Sequence, residues 1–350
     1  MSEHELQGAG YEPSPCALLP AELCQSYGLK QAFRGRQIFK WLASGADNFE
    51  SMSDLPADLR RKLTELSPNG VYSSRVEAKF LAKDGTGKLK IRLADGAAVE
   101  AVLLSDAEER LTACLSTQVG CPMGCAFCKT ATLGLQRNLS AGEIVEQFHF
   151  LSKIRGRLSN IVFMGMGEPL LNLTELRKAI TLFTHEDGFK LSRRKITIST
   201  CGLTKGILDL ADNGPHVRLA ISLTSADDEL RSRLMPVNRT HNLASLKSAL
   251  LYYQEKTGDR ITLEAAIMHG VNTGAEAAAK MAEWIQPLKV QVNIIPWNPV
   301  AGLPYEEPSR QEVLDFIARL EQLGINVIKR SRKGVAVAAA CGQLGETTQD

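Results

Sequence analysis

The sequence has few of the features that assign a protein class directly. Aromatic residues make up 6% of its 350 residues and the formal net charge is +2, while hydrophobic and charged residues, at 44% and 23%, argue against disorder or a fibre. No stretch reaches the ~18 apolar residues of a membrane span. Residues 1–15 lack the basic start and apolar run of a secretory signal. We therefore expect a globular, cytoplasmic protein without membrane contacts.

Cysteine, by contrast, is not scarce. Eight cysteines in a chain expected in the reducing cytosol favour metal binding or catalysis over a disulfide scaffold. Cys121, Cys125 and Cys128 lie within one short stretch, and no nearby His or Cys supplies the fourth ligand of a structural zinc site. Three thiolates leave one position of an iron-sulfur cluster open to a small molecule, whereas four Cys ligands suit electron transfer. The motif favours an open cluster, with zinc as the alternative.

The hydrophobic pattern changes twice along the chain. The pattern of residues 18–66 predicts helices. In residues 71–104 apolar and polar residues alternate, which predicts strands, and the pairs Asp84-Gly85 and Asp95-Gly96 that divide them are typical of hairpin turns. From Leu111, strand-like runs alternate with amphipathic stretches, as in a parallel α/β fold. We predict strands that begin near Leu111, Asn160, Lys195, Val217, Ile261, Val290 and Asn326, with helices that include Ala141–Lys153, Leu173–Thr184, Leu243–Lys256 and Arg310–Leu323.

Polar residues follow several of these strands. In parallel α/β barrels, functional groups gather where the strands end, on one rim. The three-cysteine loop follows the first strand, and four further polar segments follow later ones: residues 165–169, 199–202, 222–224 and 297–299. The pattern predicts that these groups converge.

Basic residues gather in short clusters, although the whole chain is nearly neutral. Two of the clusters are Lys190 to Lys195 and Lys329 to Lys333. Such clusters neutralise phosphates in nucleic-acid-binding proteins, but a solvated surface gives the same pattern. Both interpretations stay open for each cluster.

Several motifs together resemble a known family. Cys121-x-x-x-Cys125-x-x-Cys128, with Phe127 before the last cysteine, is similar to the signature of the radical S-adenosylmethionine (SAM) superfamily. Across nearly the whole chain, the resemblance is to the RlmN/Cfr family of RNA methyltransferases, and more to RlmN than to Cfr. It is carried by FRGRQ (33–37), CLSTQVGC (114–121), RNL (137–139), MGMGEPLLN (164–172), IPWNP (295–299) and AACGQL (339–344).

The resemblance implies a fold and a domain order. The expected fold is α/β: a partial (βα)6 TIM-like barrel with a small helical N-terminal domain and a short β linker. The expected boundaries are residues 1–70 for the helical RNA-binding module, 71–106 for the β-hairpin linker, 107–335 for the barrel, and 336–350 for a C-terminal segment that carries a catalytic cysteine.

The resemblance also implies roles for individual residues. Cys121, Cys125 and Cys128 would hold a 4Fe-4S cluster whose open iron binds SAM. Cys341 would take a methyl group from one SAM molecule and lose hydrogen from that methyl to a radical made from a second. Cys114 would resolve the resulting covalent RNA adduct, and Glu100 would accept the substrate proton. The expected SAM contacts are Gly167, Glu168, Ser199, Ser222, Leu223, Thr224 and Asn298.

Other interpretations compete at some of these positions. The surroundings of Glu100 also suit an exposed strand position, and the small apolar residues 335–340 before Cys341 suit a buried strand. Cys16, Cys24 and Cys201 are expected to be structural. At Thr224 the family commonly has His, and at three positions before Cys341 it commonly has Asp; these are Val335, Ala336 and Ala338. Such departures are compatible with three interpretations: a retuned pocket, methylation of a different position, or a divergent clade with another RNA substrate.

The resulting functional hypothesis is an RNA methyltransferase. It would make 2-methyladenosine at adenosine 2503 of 23S ribosomal RNA, with adenosine 37 of tRNA as a further substrate. Its expected partners are RNA and an electron donor such as flavodoxin, and it is expected to be a monomer. The alternatives are Cfr-like methylation of carbon 8, which confers antibiotic resistance on ribosomes, and a non-catalytic RNA-binding protein with a structural zinc site. A simple electron carrier is disfavoured because the motif lacks a fourth cysteine.

Overall fold

The N-terminal part of the protein is helical. The structure is a computed structural model that describes residues 14–106, 108–330 and 332–345. Its first helices are α1 (Pro20–Ser26), α2 (Ala32–Ala43) and α3 (Ala57–Leu66), as the sequence predicts. Gly35 lets α1 and α2 cross closely, because a Cβ there would lie 2.1 Å from the carbonyl oxygen of Pro20. None of the described helices is long and apolar enough to cross a membrane.

Three antiparallel strands follow: β1 (Arg75–Leu81), β2 (Gly87–Arg92) and β3 (Ala98–Ser105). Both predicted hairpin turns are confirmed. Gly85 and Gly96 have φ of 83° and 84°, a region that glycine enters without strain. Asp84 and Asp95 accept hydrogen bonds from the N–H groups two residues on.

The rest of the chain alternates strands and helices. The seven parallel strands are β4 (Leu111–Cys114), β7 (Asn160–Phe163), β8 (Ile196–Thr200), β9 (Arg218–Ser222), β10 (Ile261–Ile267), β11 (Val290–Pro296) and β12 (Val327–Lys329), each beginning within one residue of its predicted start. The helices are α4 (Ala141–Arg155), α5 (Leu173–Thr184), α6 (Thr204–Asn213), α7 (Asp228–Leu234), α8 (Leu243–Thr257), α9 (Ala275–Ile285) and α10 (Arg310–Gln322).

All of these strands form one ten-stranded sheet in the order β1-β2-β3-β4-β7-β8-β9-β10-β11-β12. β4 joins its two parts, because it pairs antiparallel with β3 and parallel with β7. Within the described residues β12 pairs only with β11, so the barrel stays open beside it. The expected partial barrel is confirmed.

The helical module and the barrel share one core, and α4 lies at its centre. The first eleven residues of α4 are buried, because it packs on β2, β3 and α5 as well as on the segment before α1. Glu146 of α4 accepts hydrogen bonds from the backbone N–H groups of Ser73 and Ser74 at 2.8 and 2.9 Å. A buried carboxylate is tolerated where such donors compensate it.

Two features differ from the sequence-based prediction. A small antiparallel pair, β5 (Gln118–Gly120) and β6 (Leu135–Asn138), flanks the cysteine loop; strands of three and four residues are too short for a periodic signal. The alternative interpretation of residues 335–340 as a buried strand is excluded. That stretch is a single 3₁₀ turn at Val335–Val337, in which Val335 is 40% exposed, and Gly334 and Ala338 have φ of 72° and 48°, which ends extended structure.

Candidate active site

The three-cysteine loop runs from the end of β5 toward β6. Backbone hydrogen bonds fix both of its halves: the N–H of Cys121 donates to Gly134 O at 2.8 Å, and the N–H of Ala126 donates to Leu234 O at 2.9 Å. Gly124 turns the loop at φ 65°. The three thiols thereby face one space.

That space, here called the thiol cavity, has a volume of about 180 Å³ and is lined by Cys121, Cys125, Cys128, Gly167, Glu168, Ser199, Ser222, Thr224, Glu264, Asn298 and Cys341 among others. All four predicted strand-end segments contribute to it, so the expected convergence is confirmed. Burial raises the pKa of the Cys121 thiol to about 12 and also raises the pKa of Cys125. A cation bound in this space would favour the thiolate forms.

The donor set fits an iron-sulfur cluster. Among the described residues, no group of three His, Cys, Asp or Glu side chains is arranged to hold a single metal ion, as structural zinc would require. In a cluster each thiolate binds a different iron, so the sulfurs need not meet at one point. Cys121, Cys125 and Cys128 would hold three irons and leave the fourth facing the rest of the thiol cavity.

The glycine-rich segment after β7 packs directly against the chain that enters the cysteine loop. A Cβ on Gly165 would lie 2.7 Å from the carbonyl of Leu115, and one on Gly167 would lie 2.5 Å from the Cβ of Gln118. Gly167 also has φ 101°. Glycine is therefore required at both positions for a steric reason.

Glu168 follows this segment and is buried. Its Oε1 accepts a hydrogen bond from the N–H of Leu170 at 3.0 Å, and its Oε2 accepts one from the N–H of Cys201 at 2.8 Å. Burial raises the pKa of the carboxyl group, and these hydrogen bonds oppose the increase. An anionic Glu168 in this position can bind the amino group of a ligand.

The ends of β8 and β9 are tied together by Arg231 of α7. Its wholly buried guanidinium donates to the backbone carbonyls of Cys201 at 2.7 Å, Leu223 at 3.2 Å and Ser222 at 3.3 Å. Burial lowers the pKa of this group, and its bonds to several carbonyls compensate the charge. Arg231 thus sets the spacing of the strand ends that carry Ser199 and Ser222.

Thr224 and Glu264 show that the thiol cavity is built for a ligand. Thr224 is a β-branched residue with φ 58°, a strained conformation that is often associated with function. Glu264 of β10 is buried; its Oε1 accepts from Asn293 Nδ2 at 2.9 Å, while its Oε2 has no hydrogen-bond partner among the described residues. A buried carboxylate oxygen without a partner in a cavity wall indicates that a ligand supplies a donor.

A second space, here called the basic cavity, adjoins the thiol cavity. It has a volume of about 610 Å³ and follows the inner face of the open barrel. The two basic clusters of the sequence both contribute to it; its basic lining residues are Arg110, Arg194, Lys195, Arg218, Lys329, Arg330, Arg332 and Lys333, with Asp106 as the single acid among the lining residues. Such a charge distribution favours a polyanion.

Cys341 lines both cavities, and Cys114 lines the basic cavity. Burial raises the pKa of Cys114 to about 12, and the nearby Cys341 adds to this increase. Cys341 is exposed to the two cavities; desolvation and the nearby Glu264 raise its pKa, whereas the guanidinium of Arg330 opposes the increase. The two thiols, far apart in the chain, are therefore neighbours beside one cation.

Two predicted site residues lie elsewhere. Leu223 has a fully buried side chain in the core and can approach a ligand only through its backbone. Glu100 lines neither cavity; it is 5% exposed and pairs with Lys88 at 2.9 Å, so an exposed strand position is excluded. Its role as proton acceptor stays a prediction. Val335, one of the departures from the family pattern, also lies outside both cavities.

Sequence reasoning did not identify three residues of the site. Glu264 could have been found, because it is the single charged residue within the apolar strand ITLEAAI. Arg330 lies in a basic cluster, and nothing in the sequence distinguishes it from the other basic residues of that cluster. Cys201 was expected to be structural, yet it lines the thiol cavity beside Glu168.

Comparison with known proteins decides the family. The protein-family model "Radical SAM superfamily" matches residues 115–282. A second family model, "Ribosomal RNA large subunit methyltransferase N-terminal domain", matches residues 21–67. The "Probable dual-specificity RNA methyltransferase RlmN" of Treponema pallidum (strain Nichols) is 49% identical over 330 residues, which is 94% of this chain and 96% of that protein. The chain belongs to the RlmN family of radical SAM RNA methyltransferases.

Further members of the family agree with this assignment. The protein of the same name from Treponema denticola is 49% identical over 337 residues, which is 96% of each chain. The crystal structure of a radical SAM methyltransferase from Sphaerobacter thermophilus matches with a TM-score of 0.90 and 36% identity, covering 95% of this chain and 99% of that one.

RlmN family membership settles the general chemistry. The protein is an enzyme that methylates RNA with a 4Fe-4S cluster and SAM. The two non-catalytic alternatives, an RNA-binding protein with structural zinc and an electron carrier, are therefore wrong.

Proposed function

We propose that this enzyme makes 2-methyladenosine at adenosine 2503 of 23S ribosomal RNA and at adenosine 37 of tRNA. Two SAM molecules serve each methylation, and Cys341 carries the methyl group between them. One observation supports this most directly: Cys341 lies on the lining of both the thiol cavity and the basic cavity. A methyl carrier has to meet the cofactor on one side and the RNA on the other.

In the first step the thiolate of Cys341 attacks the methyl carbon of SAM, and S-adenosylhomocysteine leaves with the electron pair of the broken bond. Arg330 promotes this step, because its charge favours the thiolate against the desolvation that raises the pKa of Cys341. Glu168, Ser199, Ser222 and Asn298 line the cavity around SAM and orient it. When bound, the cluster and a second SAM supply the carbon radical that the amidine carbon of adenine requires.

The last step uses Cys114. After the carbon on Cys341 has bonded to carbon 2 of adenine, the adduct must give up one electron, which the bound cluster would take back, and the proton of carbon 2, which a base takes. The thiolate of Cys114 then attacks the sulfur of Cys341. The bond from that sulfur to the methylene carbon breaks, the carbon takes the electron pair and a proton, and the two cysteines form a disulfide. An external two-electron reductant then reopens the disulfide. Both thiols line the basic cavity, and Cys341 contributes to the raised pKa of Cys114, which supports the proximity that this step needs.

The basic cavity is proposed to bind the RNA. Its eight cations would neutralise phosphates at the open side of the barrel, where an unpaired adenosine could enter toward Cys341. We further propose an external electron donor such as flavodoxin, a monomeric enzyme and a cytoplasmic location.

RNA mass spectrometry tests the proposed target. The wild-type chain and Cys341→Ala are each expressed in a bacterial strain that lacks its own RlmN, and nuclease digests of 23S ribosomal RNA and tRNA are compared. We expect 2-methyladenosine in both RNAs with the wild type and in neither with Cys341→Ala. 8-Methyladenosine in its place would replace the proposal with Cfr-like chemistry. Absence of any new methyladenosine with a folded, cluster-containing wild type would overturn the proposed function.

A further inference from the structure

The outer side of the cysteine loop is thinly covered. Pro122 and Gly124 are exposed, and Met123 between them is half-buried and lines the thiol cavity on its inner side. The three loop cysteines line the same cavity, so a cluster bound by them would lie directly beneath this surface. The loop therefore separates the position of the cluster from the exterior by a single layer of chain.

Two neighbouring segments extend this surface. The end of α7 adjoins the loop, because the N–H of Ala126 donates to Leu234 O at 2.9 Å. The start of α6 adjoins the segment after α7, because the hydroxyl oxygen of Thr204 lies 2.7 Å from Nδ1 of His241. The combined surface is here called the loop face, and it consists of residues 121–134, 203–206 and 233–241.

The loop face has an excess of positive charge. It contains no Asp or Glu, and its cations form no ion pair within the residues that the structure describes; they are Lys129, Lys205, Arg233 and Arg239. All but the half-buried Lys129 are exposed. Asp228 adjoins the face, but it already accepts from the side chain of Asn238 and the N–H of Leu243. Unpaired cations thus lie beside the thin loop.

Radical SAM chemistry requires that an electron reach the cluster from outside the protein. The rate of electron transfer falls steeply with distance, so the donor has to approach the cluster closely. In the proposed reaction SAM and Cys341 take up the thiol cavity, and RNA takes up the basic cavity. None of the four cations of the loop face lines either cavity. The loop face is therefore a short approach to the cluster that stays open while SAM and RNA are bound.

We propose that the loop face docks an acidic protein that donates one electron. The donor loses that electron and the bound cluster gains it, so no bond forms or breaks at the surface. Unpaired cations steer an acidic partner and raise its association rate. The apolar side chains of Pro122 and Met123 between them favour a protein over RNA, whose phosphates need cations throughout. This inference rests on the external electron donor of the proposed function, and it assigns that donor a surface.

Charge reversal tests the surface. The triple variant Lys205→Glu/Arg233→Glu/Arg239→Glu and the wild type are prepared as full-length, cluster-containing enzymes, and a flavodoxin of net negative charge is the probe. Calorimetry measures its affinity at low and at high salt. We expect the variant to bind flavodoxin at least about tenfold more weakly at low salt, and added salt to weaken binding only in the wild type, because like charges face each other in the variant. Replacing the same three residues by Gln should give a smaller loss in the same direction.

A second triple variant controls for net charge. Arg157→Glu/Arg260→Glu/Lys289→Glu changes the charge of the chain by the same amount, at exposed positions outside the loop face and outside both cavities. Its affinity for flavodoxin should stay close to that of the wild type. Equal losses in the two triple variants, or no loss in either, would overturn the proposal, because the attraction would then not belong to the loop face.

First-turnover kinetics separate docking from chemistry. Formation of 5′-deoxyadenosine is followed with reduced flavodoxin and with dithionite, a small reductant. We expect the loop-face variant to be about tenfold slower with flavodoxin, close to the wild type with dithionite, and unchanged in RNA affinity. Equal slowing with both reductants, or a loss of RNA affinity in place of flavodoxin affinity, would contradict the proposal. If the wild type binds flavodoxin through this face but makes no 2-methyladenosine with dithionite, the proposed target fails and the docking surface stands.

Discussion

Asn298 Nδ2 donates a hydrogen bond to the backbone carbonyl of Cys341 at 3.1 Å. Its Oδ1 accepts from Nε of Arg332 at 3.0 Å, so one buried amide links the end of β11 to the C-terminal segment and to a cation of the basic cavity. Asn298, which the sequence predicts as a SAM contact, therefore also holds the segment that carries Cys341.

Asn298→Ala should impair methylation of Cys341. Loss of a buried hydrogen bond costs about 1 kcal/mol or more, and we expect the rate of methyl transfer to Cys341 to fall at least about tenfold. Intact-protein mass spectrometry after incubation with SAM measures this. Asn213→Ala, which removes a surface hydrogen bond to Asp209, is the control and should behave as wild type. An unchanged rate in folded Asn298→Ala would contradict the prediction.

Cys114→Ala should trap the enzyme on its RNA. Without the second thiol the bond between Cys341 and the adenine-linked carbon cannot be broken, so the reaction stops after one cycle. Denaturing gels with labelled RNA should show a covalent complex approaching one per active enzyme. Cys24→Ala, which changes a cysteine outside both cavities, should turn over and leave no complex. Normal turnover by Cys114→Ala would assign resolution to another group.

Gly167→Ala should weaken SAM binding for a steric reason. Its Cβ would lie 2.5 Å from Gln118 Cβ and 2.8 Å from Gln118 N, so backbone has to move. Overpacking of this kind costs about 1–3 kcal/mol, and we expect SAM affinity to fall about tenfold or more by calorimetry. Gly96→Ala is the control. Gly96 also has a positive φ, 84°, so an alanine there is strained in a similar way, but no atom lies within 4 Å of the new Cβ. Equal effects of the two variants on SAM binding would argue against the packing explanation.

Charges in the basic cavity should set the salt dependence of RNA binding. Arg218 and Lys329 both line it, and removing one cation that pairs with a phosphate reduces the slope of log affinity against log salt by about 1. We expect this reduction for Arg218→Gln and for Lys329→Gln, measured by fluorescence anisotropy at several salt concentrations. Lys289→Gln removes an exposed charge just before β11 and outside the cavity, so its slope should equal that of the wild type.

His149 should make the fold sensitive to acid. It is buried in an aromatic cluster with Tyr72, Phe148 and Phe189, and burial lowers its pKa to about 3. Between pH 6.5 and 3, His149 is therefore protonated in the unfolded chain but not in the folded chain. As pH falls below 6.5, the free energy of unfolding decreases by up to about 1.4 kcal/mol per pH unit, whereas above pH 6.5 this residue causes no loss.

Urea unfolding at pH 7 and pH 5.5 measures this effect. His149→Phe should lose less stability than the wild type over that interval, by about 1 kcal/mol. Parallel changes in the two proteins would show that His149 does not titrate on unfolding.

Much of the fold was determined by local sequence. The parallel strands each begin within one residue of the predicted position, and helix α5 has the predicted bounds Leu173–Thr184, because alternating patterns and their boundaries are properties of neighbouring residues. The cysteine loop and the polar strand ends were equally visible, since parallel strands bring their carboxyl ends to one rim whatever lies between them.

Only the tertiary structure decided the rest. No local pattern placed Cys341 beside Cys114 and Arg330, or Glu264 in the wall of the thiol cavity. Residues 335–340 have the composition of a buried strand, yet β12 ends at Lys329 and the stretch forms a turn held by Lys88 and Asp84. Glu100 likewise gained its partners from residues far away in the chain. These features depend on contacts between distant segments, and such contacts are set by packing and by the satisfaction of buried polar groups, which sequence periodicity does not encode.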